Sequence, residues 1–283
     1  MSKIVACIDG RSNSAVVTDW AIWAAKELSV YLELLHVLER PVPILNDYSG
    51  SLGFGEQESL LKSLSRLDEQ HSKLAQEAGR GVLNAAQSRA VQLGLGNSNQ
   101  KLRHGDLVET LLDDEGETSL FVMGVHTQVH SSKKIHFDYT VERVIRSVKK
   151  PVLVVKGNSF SPPDKVLIGF DGSLSSQQMI KRITQNKLTQ GKYFILGMVG
   201  IPTKESAFLL SNARLELEKA GAQVLLDETS GITEEVLPMM VKKHHANILI
   251  MGAYGHSRIR QLVVGSTTST LLRISEIPIL ILR

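Results

Sequence analysis

Cysteine is almost absent from this chain of 283 residues, and its one cysteine, Cys7, excludes an internal disulfide. Cys7 lies inside an apolar run, so we expect a small buried hydrophobic residue rather than a reactive thiol. No uncharged apolar run approaches the roughly 20 residues that a membrane-spanning helix needs. The first residues run straight into a predicted strand, so we expect no signal peptide. These absences favour a cytoplasmic protein with no membrane partner.

An excess of charge of one sign is also missing, because 32 basic residues stand against 29 acidic ones and leave a net charge of +3. Without a cluster of basic residues there is no electrostatic case for binding nucleic acid. Three catalytic or cofactor signatures are absent as well: the G-x-S-x-G nucleophile elbow, the Walker lysine motif and the dinucleotide fingerprint. No nucleophile–base pair stands out, so no catalytic residue is assigned.

The chain contains the same pattern twice. Residues 4–10 and 166–172 are both apolar strands that end in Asp-Gly, at Asp9 and Asp171. Residues 120–124 resemble 249–252, and residues 151–155 resemble 278–282. Self-similarity of this kind indicates a tandem duplication. We expect two domains, 1–157 and 164–283, joined by a linker near Gly157 to Pro163 that is rich in Ser, Pro and Gly.

Strands and helices are predicted to alternate along both halves. Alternation of this kind, with apolar strands, is typical of parallel α/β sheets covered on both faces. The fold class is therefore α/β, with two tandem parallel-sheet domains. Strands are predicted near 3–8, 31–37, 100–104, 119–124, 151–155, 165–170, 192–199, 222–228, 247–252 and 278–282. Helices are predicted near 13–29, 57–94, 106–115, 138–148, 175–189, 203–220, 233–245 and 265–275.

The most informative stretch follows the apolar run 248–251. It reads Gly252-x2-Gly255-x9-Gly265-Ser266 and leads into a predicted helix. Glycines let the backbone approach a ligand closely, and the free N–H groups of a helix N-terminus favour phosphate. The simpler alternative is a strand-to-helix turn in which Ser or Thr caps the helix. Three glycines at this spacing favour phosphate binding.

This spacing resembles the nucleotide-binding signature G-x2-G-x9-G-(S/T) of the universal stress protein family, and the likeness extends over nearly the whole chain. The resemblance implies a tandem member with a Rossmann-like, adenine nucleotide alpha hydrolase-like fold. It also implies ATP as ligand, with Mg²⁺, and a role as a stress-response regulator or sensor. Two rivals stay open: a slow ATPase or nucleotide hydrolase on the same scaffold, and an interaction module without a ligand.

The resemblance also implies a set of residues around the nucleotide. The glycines would let the backbone reach the triphosphate, and the hydroxyls after them would bond its oxygens. Asp171 would lie toward the ribose or the magnesium ion. Val199 would help to form the wall of the adenine pocket, and Met251 and Tyr254 would flank this pocket. These residues are Asp171, Val199, Met251, Gly252, Tyr254, Gly255, Gly265, Ser266 and Thr267.

The first half carries a degraded copy of the signature. After Gly124, Thr127 stands where the second glycine belongs, and Asp138 and Tyr139 stand where the third glycine and the hydroxyl belong. A carboxylate at Asp138 suits a helix N-cap but would repel phosphate. We therefore expect one nucleotide per chain, in the second half, and we do not assign a nucleotide-binding role to Asp9.

Histidines and acidic residues form two weaker candidate sites. His126, His130 and His136 share one loop and could bind zinc, but no cysteine joins them, and a solvated loop is the simpler interpretation. The acidic run 113–117 is interpreted as a solvated turn rather than a metal site. His244 and His245 end a predicted helix, where imidazolium complements the helix dipole.

A long predicted helix, near 57–94, carries an apolar stripe at helical spacing. Core packing is the simpler interpretation of this stripe, and a protruding helix that covers a site or binds a partner is the alternative. Gly79 and Gly81 could bend or interrupt the helix. The stripe comprises Leu60, Leu64, Leu67, Leu74, Ala78 and Val82.

The last strands of the two halves, 151–155 and 278–282, are apolar and almost uncharged. Such strands are aggregation hazards if they lie at a free sheet edge. We predict that they pair with each other, antiparallel, and join the halves as a pseudo-dimer. The resemblance implies the same arrangement, because single-domain family members dimerise in a similar way. It also allows a homodimer of whole chains, and it leaves any protein partner unidentified.

Overall fold

The computed structural model describes residues 2–39, 54–125, 139–185, 187, 191–252 and 266–283, with backbone alone for 54–62. Its strands are β1 (Lys3–Cys7), β2 (Tyr31–Leu38), β3 (Ser98–His104), β4 (Thr118–Gly124), β5 (Val152–Val155), β6 (Lys165–Gly169), β7 (Tyr193–Val199), β8 (Gln223–Thr229), β9 (Ile248–Gly252) and β10 (Ile279–Leu282). Its helices are α1 (Ser14–Leu28), α2 (Phe54–Gln92), α3 (Leu107–Asp114), α4 (Tyr139–Ser147), α5 (Leu174–Gln185), α6 (Lys204–Lys219), α7 (Thr233–His244) and α8 (Ser266–Ile274). A short 3₁₀ turn, Glu115–Glu117, follows α3.

The ten strands form one sheet in the order β3-β2-β1-β4-β5-β10-β9-β6-β7-β8. The first half, β1–β5, and the second half, β6–β10, have the same internal order, and all their internal pairings are parallel. The α/β fold class predicted from the sequence is confirmed. The antiparallel pairing of β5 with β10 is also confirmed, with the register Ile279↔Val154, Leu280↔Leu153 and Ile281↔Val152.

Apolar side chains cover both faces of the sheet. Alternate residues point to opposite faces, so that Ile4 and Ala6 join one buried cluster and Val5 joins the other. One cluster includes α1, α2, α5 and α6, and the other includes α3, α4, α7 and α8. Burial on both faces explains why the central strands are continuous apolar runs. The outer strands β3 and β8 are more polar, which protects the free edges of the sheet.

Two cationic side chains form hydrogen bonds between the two halves, beside the β5–β10 pair. Lys156, which follows β5, donates from Nζ to the carbonyl of Arg273 at the end of α8, at 2.8 Å. Arg283, which follows β10, donates to the carbonyls of Val148 (2.6 Å) and Arg146 (2.7 Å) at the end of α4. Each cation therefore reaches the C-terminus of the other half's last helix, where the helix dipole favours positive charge.

The long helix differs from its expected form. Gly79 and Gly81 do not interrupt α2, which runs without a break for 39 residues. Gly79 lets it lie close to the sheet, since a Cβ there would be 2.8 Å from His36 and 2.9 Å from Leu102. The expectation of core packing for the whole stripe is wrong, because the described leucines in the N-terminal part of α2 are about half exposed or more. This part lies beyond the sheet that would cover it.

The predicted linker is partly anchored. The ring of Phe160 meets the ring of Trp20 on α1 edge to face, with centroids 5.1 Å apart, while residues 157–159 are exposed. Among the described residues, no helix is both long and apolar enough to cross a membrane.

Candidate functional site

In the second half, the strand order reverses at β6, and this creates a topological switch point in the sheet. From β6 the chain continues to β7 on one side, whereas β9 pairs with β6 on the other side. In open parallel sheets, ligands bind at such a switch point, outside the carboxyl ends of the strands. Gly252 ends β9, Val199 ends β7, and Asp171 follows β6. The fold thus brings these three predicted residues to one edge of the sheet.

The two Asp-Gly turns have the same geometry in both halves. Asp171 accepts the backbone N–H of Ser173 at 3.0 Å, and Asp9 accepts the backbone N–H of Arg11 at 3.0 Å. The glycine after each aspartate has a positive φ, +75° and +79°, which glycine adopts without strain. Each turn leads toward a helix N-terminus and holds a carboxylate at the carboxyl edge of the sheet. The sequence repeat is therefore a structural repeat at this edge.

The terminal glycines of β9 and β4 are in different surroundings. A Cβ at Gly252 would meet no atom of the described residues within 4 Å. A Cβ at Gly124 would lie 2.7 Å from Asn13 Nδ2 and 3.0 Å from Val17 Cγ2. Asn13 is buried and donates from Nδ2 to the carbonyl of Val125 at 3.3 Å. The space beside the strand end is thus filled in the first half and open, among the described residues, in the second.

The start of α8 presents three hydroxyl residues. Ser266 is exposed, and Thr268 is buried. Thr267 donates from Oγ1 to Oε1 of Glu234, on α7, at 2.7 Å. A carboxylate so close to a helix N-terminus is favoured by the dipole, but it also repels phosphate. Glu234 was not among the residues predicted from the sequence, and only its place in the first turn of α7 could have drawn attention to it.

Of the remaining predicted residues, two lie at or beside a buried apolar cluster and the others lie outside the described part of the chain. Met251 is 7% exposed and belongs to a buried apolar cluster, and Val199 packs at the margin of that cluster. Their contacts with a ligand stay predictions. Tyr254, Gly255 and Gly265 lie outside the described residues. So do Thr127, Asp138, His126, His130 and His136.

The first half has a cleft of about 240 Å³ at the carboxyl ends of its strands. Among the described residues, its charged lining consists of Asp9, Arg11 and Glu39, and Arg11 Nε lies 3.8 Å from Asp9 Oδ2. Two carboxylates against one guanidinium make this lining unfavourable for a polyphosphate. Cys7 also borders the cleft and is partly buried, rather than fully buried as expected, but desolvation raises the pKa of its thiol to about 12 and so disfavours the reactive thiolate.

The other candidate clusters have structural partners. His244 Nε2 lies 2.6 Å from Asp227 Oδ2, and Lys243 Nζ lies 2.8 Å from the same oxygen. In the acidic run, Asp114 accepts two hydrogen bonds from Lys101, each 2.6 Å long. No group of three or more His, Cys, Asp or Glu side chains within the described part of the chain is arranged to hold a metal ion.

Comparison with known proteins identifies the family behind this geometry. A profile described as the universal stress protein family matches residues 1–156 and 197–283. The chain belongs to the universal stress protein family. It is 32% identical to the universal stress protein Slr1230 of Synechocystis over 289 residues, which cover all of both chains. It is 25% identical to the universal stress protein MJ0577 of Methanocaldococcus jannaschii over 118 residues, 42% of this chain and 64% of that protein.

A solved universal stress protein structure has the same overall fold. The protein from Archaeoglobus fulgidus DSM 4304 superposes with a TM-score of 0.72 at 18% identity, covering 99% of this chain and 96% of that one. At this identity the likeness supports the fold alone. Its coverage shows that the arrangement of both halves occurs in another family member.

Proposed function

We propose that this universal stress protein binds one ATP, with Mg²⁺, in its second half and acts as a nucleotide-dependent regulator or sensor in the stress response. The observation that carries the proposal is the contrast between Gly252 and Gly124. Beside Gly252, which opens the glycine signature, the described residues leave room for a ligand, whereas Asn13 fills the matching space beside Gly124. The residues of the second half thus fit a nucleotide better than those of the first.

In this proposal the signature glycines let the backbone approach the phosphates, and Ser266 at the start of α8 adds a hydroxyl donor. Asp171 holds a carboxylate at the same edge of the sheet, where it can receive a ribose hydroxyl or a magnesium ion. Carboxylate oxygens are ligands that Mg²⁺ prefers. Thr267 reaches a phosphate oxygen only by releasing Glu234, so nucleotide binding requires a local rearrangement there.

The division into domains 1–157 and 164–283 and a cytoplasmic location belong to the same proposal. The rival functions, a slow ATPase and a ligand-free interaction module, differ in measurable ways. Mass spectrometry of the gently denatured protein separates a bound nucleotide from none. A turnover assay with Mg²⁺ separates an ATPase from a binding protein.

Titration calorimetry with Mg·ATP tests the stoichiometry. We expect about one ATP per chain, because one signature is intact and the other is degraded. Two equivalent sites would refute the asymmetry between the halves, and no heat of binding at millimolar ATP would refute the nucleotide proposal. A Gly265→Asp variant should abolish binding while the protein stays folded, since it places a carboxylate where we expect phosphate.

A further inference from the structure

The N-terminal part of α2 extends beyond the body of the protein. Val82 on α2 lies against Gly10, as Leu209 on α6 lies against Gly172, so these two residues occupy matching places in the halves. However, α2 begins 28 residues before Val82, while α6 begins only five residues before Leu209. The extra 23 residues amount to about 35 Å of helix. They project past the carboxyl edge of the first half, and every residue from 63 to 75 is exposed.

The apolar residues of this extension follow a heptad rather than the broader pattern of a core-facing helix. Leu64, Leu67, His71, Leu74 and Ala78 alternate at spacings of three and four, and Leu60 continues the series toward the N-terminus. This is the spacing of a and d positions in a coiled coil, over about three heptads. We name the described row, Leu64 to Ala78, the seam. The exposed fractions of its described leucines are 48% for Leu64, 51% for Leu67 and 63% for Leu74.

The described residues leave the seam accessible to another helix. The body-facing side of α2 is defined by the buried residues Gly79, Leu83, Ala86 and Ala90. At 3.6 residues per turn, the seam lies about 110° around the helix from that side. A helix that packs on the seam therefore has room beside the body. Among the described side chains, Lys73 and Glu69 form the one ion pair along the extension, at 2.7 Å. In proteins, most of the stability of a helix comes from packing of its apolar face against another element, and the described part of the body does not supply that packing along the extension.

We propose that the seam pairs with the seam of a second copy of this chain, as a parallel two-stranded coiled coil. The row is self-complementary, as a two-fold symmetric contact requires, since each residue of a parallel pair meets its own copy: leucine meets leucine at Leu64, Leu67 and Leu74. His71 is the polar residue of the row and lies at an a position, where a polar side chain such as Asn or Lys specifies register and oligomer state at a cost in stability.

The charges beside the seam favour the parallel direction. In a parallel pair, the flanking g and e positions bring Ser63 opposite Asp68 and Gln70 opposite Ala75 of the second copy, with no like charges facing each other. In an antiparallel pair centred on the same stretch, the two Asp68 carboxylates face each other and repel. The dimer contact is separate from the β5–β10 pairing within the chain and from the candidate nucleotide site.

Light scattering coupled to size-exclusion chromatography tests the pairing. The full chain should elute as a dimer at about 50 µM, and a Leu67→Asp variant should be a monomer, with association weakened about 100-fold or more because a carboxylate replaces a buried leucine. Ser65→Asp is the matched control: it introduces the same charge on the same helix, away from the seam, and should remain dimeric. Because both positions are exposed, circular dichroism should show the body folded in both variants.

Disulfide trapping tests the direction. In a Cys7→Ser background, Leu67→Cys should form a disulfide between chains under mild oxidation, since d positions face each other in a parallel pair. Ser65→Cys should not. A monomeric full chain, or a dimer that survives Leu67→Asp, would overturn the proposal. A dimer that Leu67→Asp abolishes but Leu67→Cys does not trap would overturn the parallel arrangement.

Discussion

The contrast between the two strand-terminal glycines leads to a matched pair of substitutions. Gly252→Ala should leave stability unchanged or raise it slightly, because the new Cβ meets no described atom within 4 Å. Replacing glycine by alanine where the backbone allows it stabilises by about 0.4–1 kcal/mol through the unfolded state. Gly124→Ala should destabilise, since its Cβ would press on Asn13 at 2.7 Å and on Val17 at 3.0 Å. Overpacking of this kind costs about 1–3 kcal/mol.

The effects on ATP binding should be reversed. At Gly252 the added methyl group occupies space that we assign to the nucleotide and hinders a charge-assisted hydrogen bond from the backbone to phosphate. Such bonds contribute about 1.5–3 kcal/mol, so the affinity should fall roughly 10- to 100-fold. At Gly124 the affinity should stay as in the unmodified protein, because the first half holds no nucleotide in our proposal.

Urea denaturation and titration calorimetry with Mg·ATP, run on the same two variants, measure both effects. The expected result is a crossed pattern, in which one variant loses binding and the other loses stability. Unchanged ATP affinity in Gly252→Ala would refute the placement of phosphate beside β9. A marked loss of stability in that variant would refute the open space at Gly252.

Three further predictions concern charged groups. Glu234→Gln should tighten the binding of ATP without Mg²⁺ about three- to tenfold, because a carboxylate beside the start of α8 no longer repels the phosphates. Titration calorimetry in EDTA measures this affinity, and weaker binding by the variant would contradict the prediction. Burial lowers the pKa of Lys156 to about 8, so the unfolded chain binds more protons than the folded chain between pH 8 and 10.5. Over that range the free energy of unfolding of the unmodified protein should rise relative to that of Lys156→Met, by up to roughly 1.4 kcal/mol per pH unit. If urea denaturation gave both proteins the same dependence of stability on pH, this prediction would be contradicted. Burial of Asp227 acts to raise its pKa, but hydrogen bonds from Lys243, His244 and Thr229 outweigh burial and hold the pKa below its usual value. Asp227→Asn should therefore cost about 2–3 kcal/mol at pH 7, and the difference should shrink as pH falls below about 4; an equal cost at pH 3.5 would contradict the charge argument.

The sequence by itself determined the elements and one of their pairings. Continuous apolar runs placed the ten strands to within about two residues of their observed ends, and the repeated Asp-Gly turns marked the ends of β1 and β6. The uncharged last strands, 151–155 and 278–282, also predicted their own antiparallel contact, because an apolar strand needs a partner on both edges. These properties are local, or depend on one strand's composition, and so they can be recognised without knowing what lies nearby.

Only the tertiary structure decided how the space around the candidate site is filled. Asn13 reaches Val125, 112 residues away along the chain, and Glu234 reaches Thr267, 33 residues away. No periodic pattern in the sequence predicts such contacts, because they depend on which loops meet at the edge of the sheet. The exposure of the seam was decided in the same way: heptad spacing specifies an apolar row, but the extent of the sheet beneath α2 determines whether the protein's own core covers it.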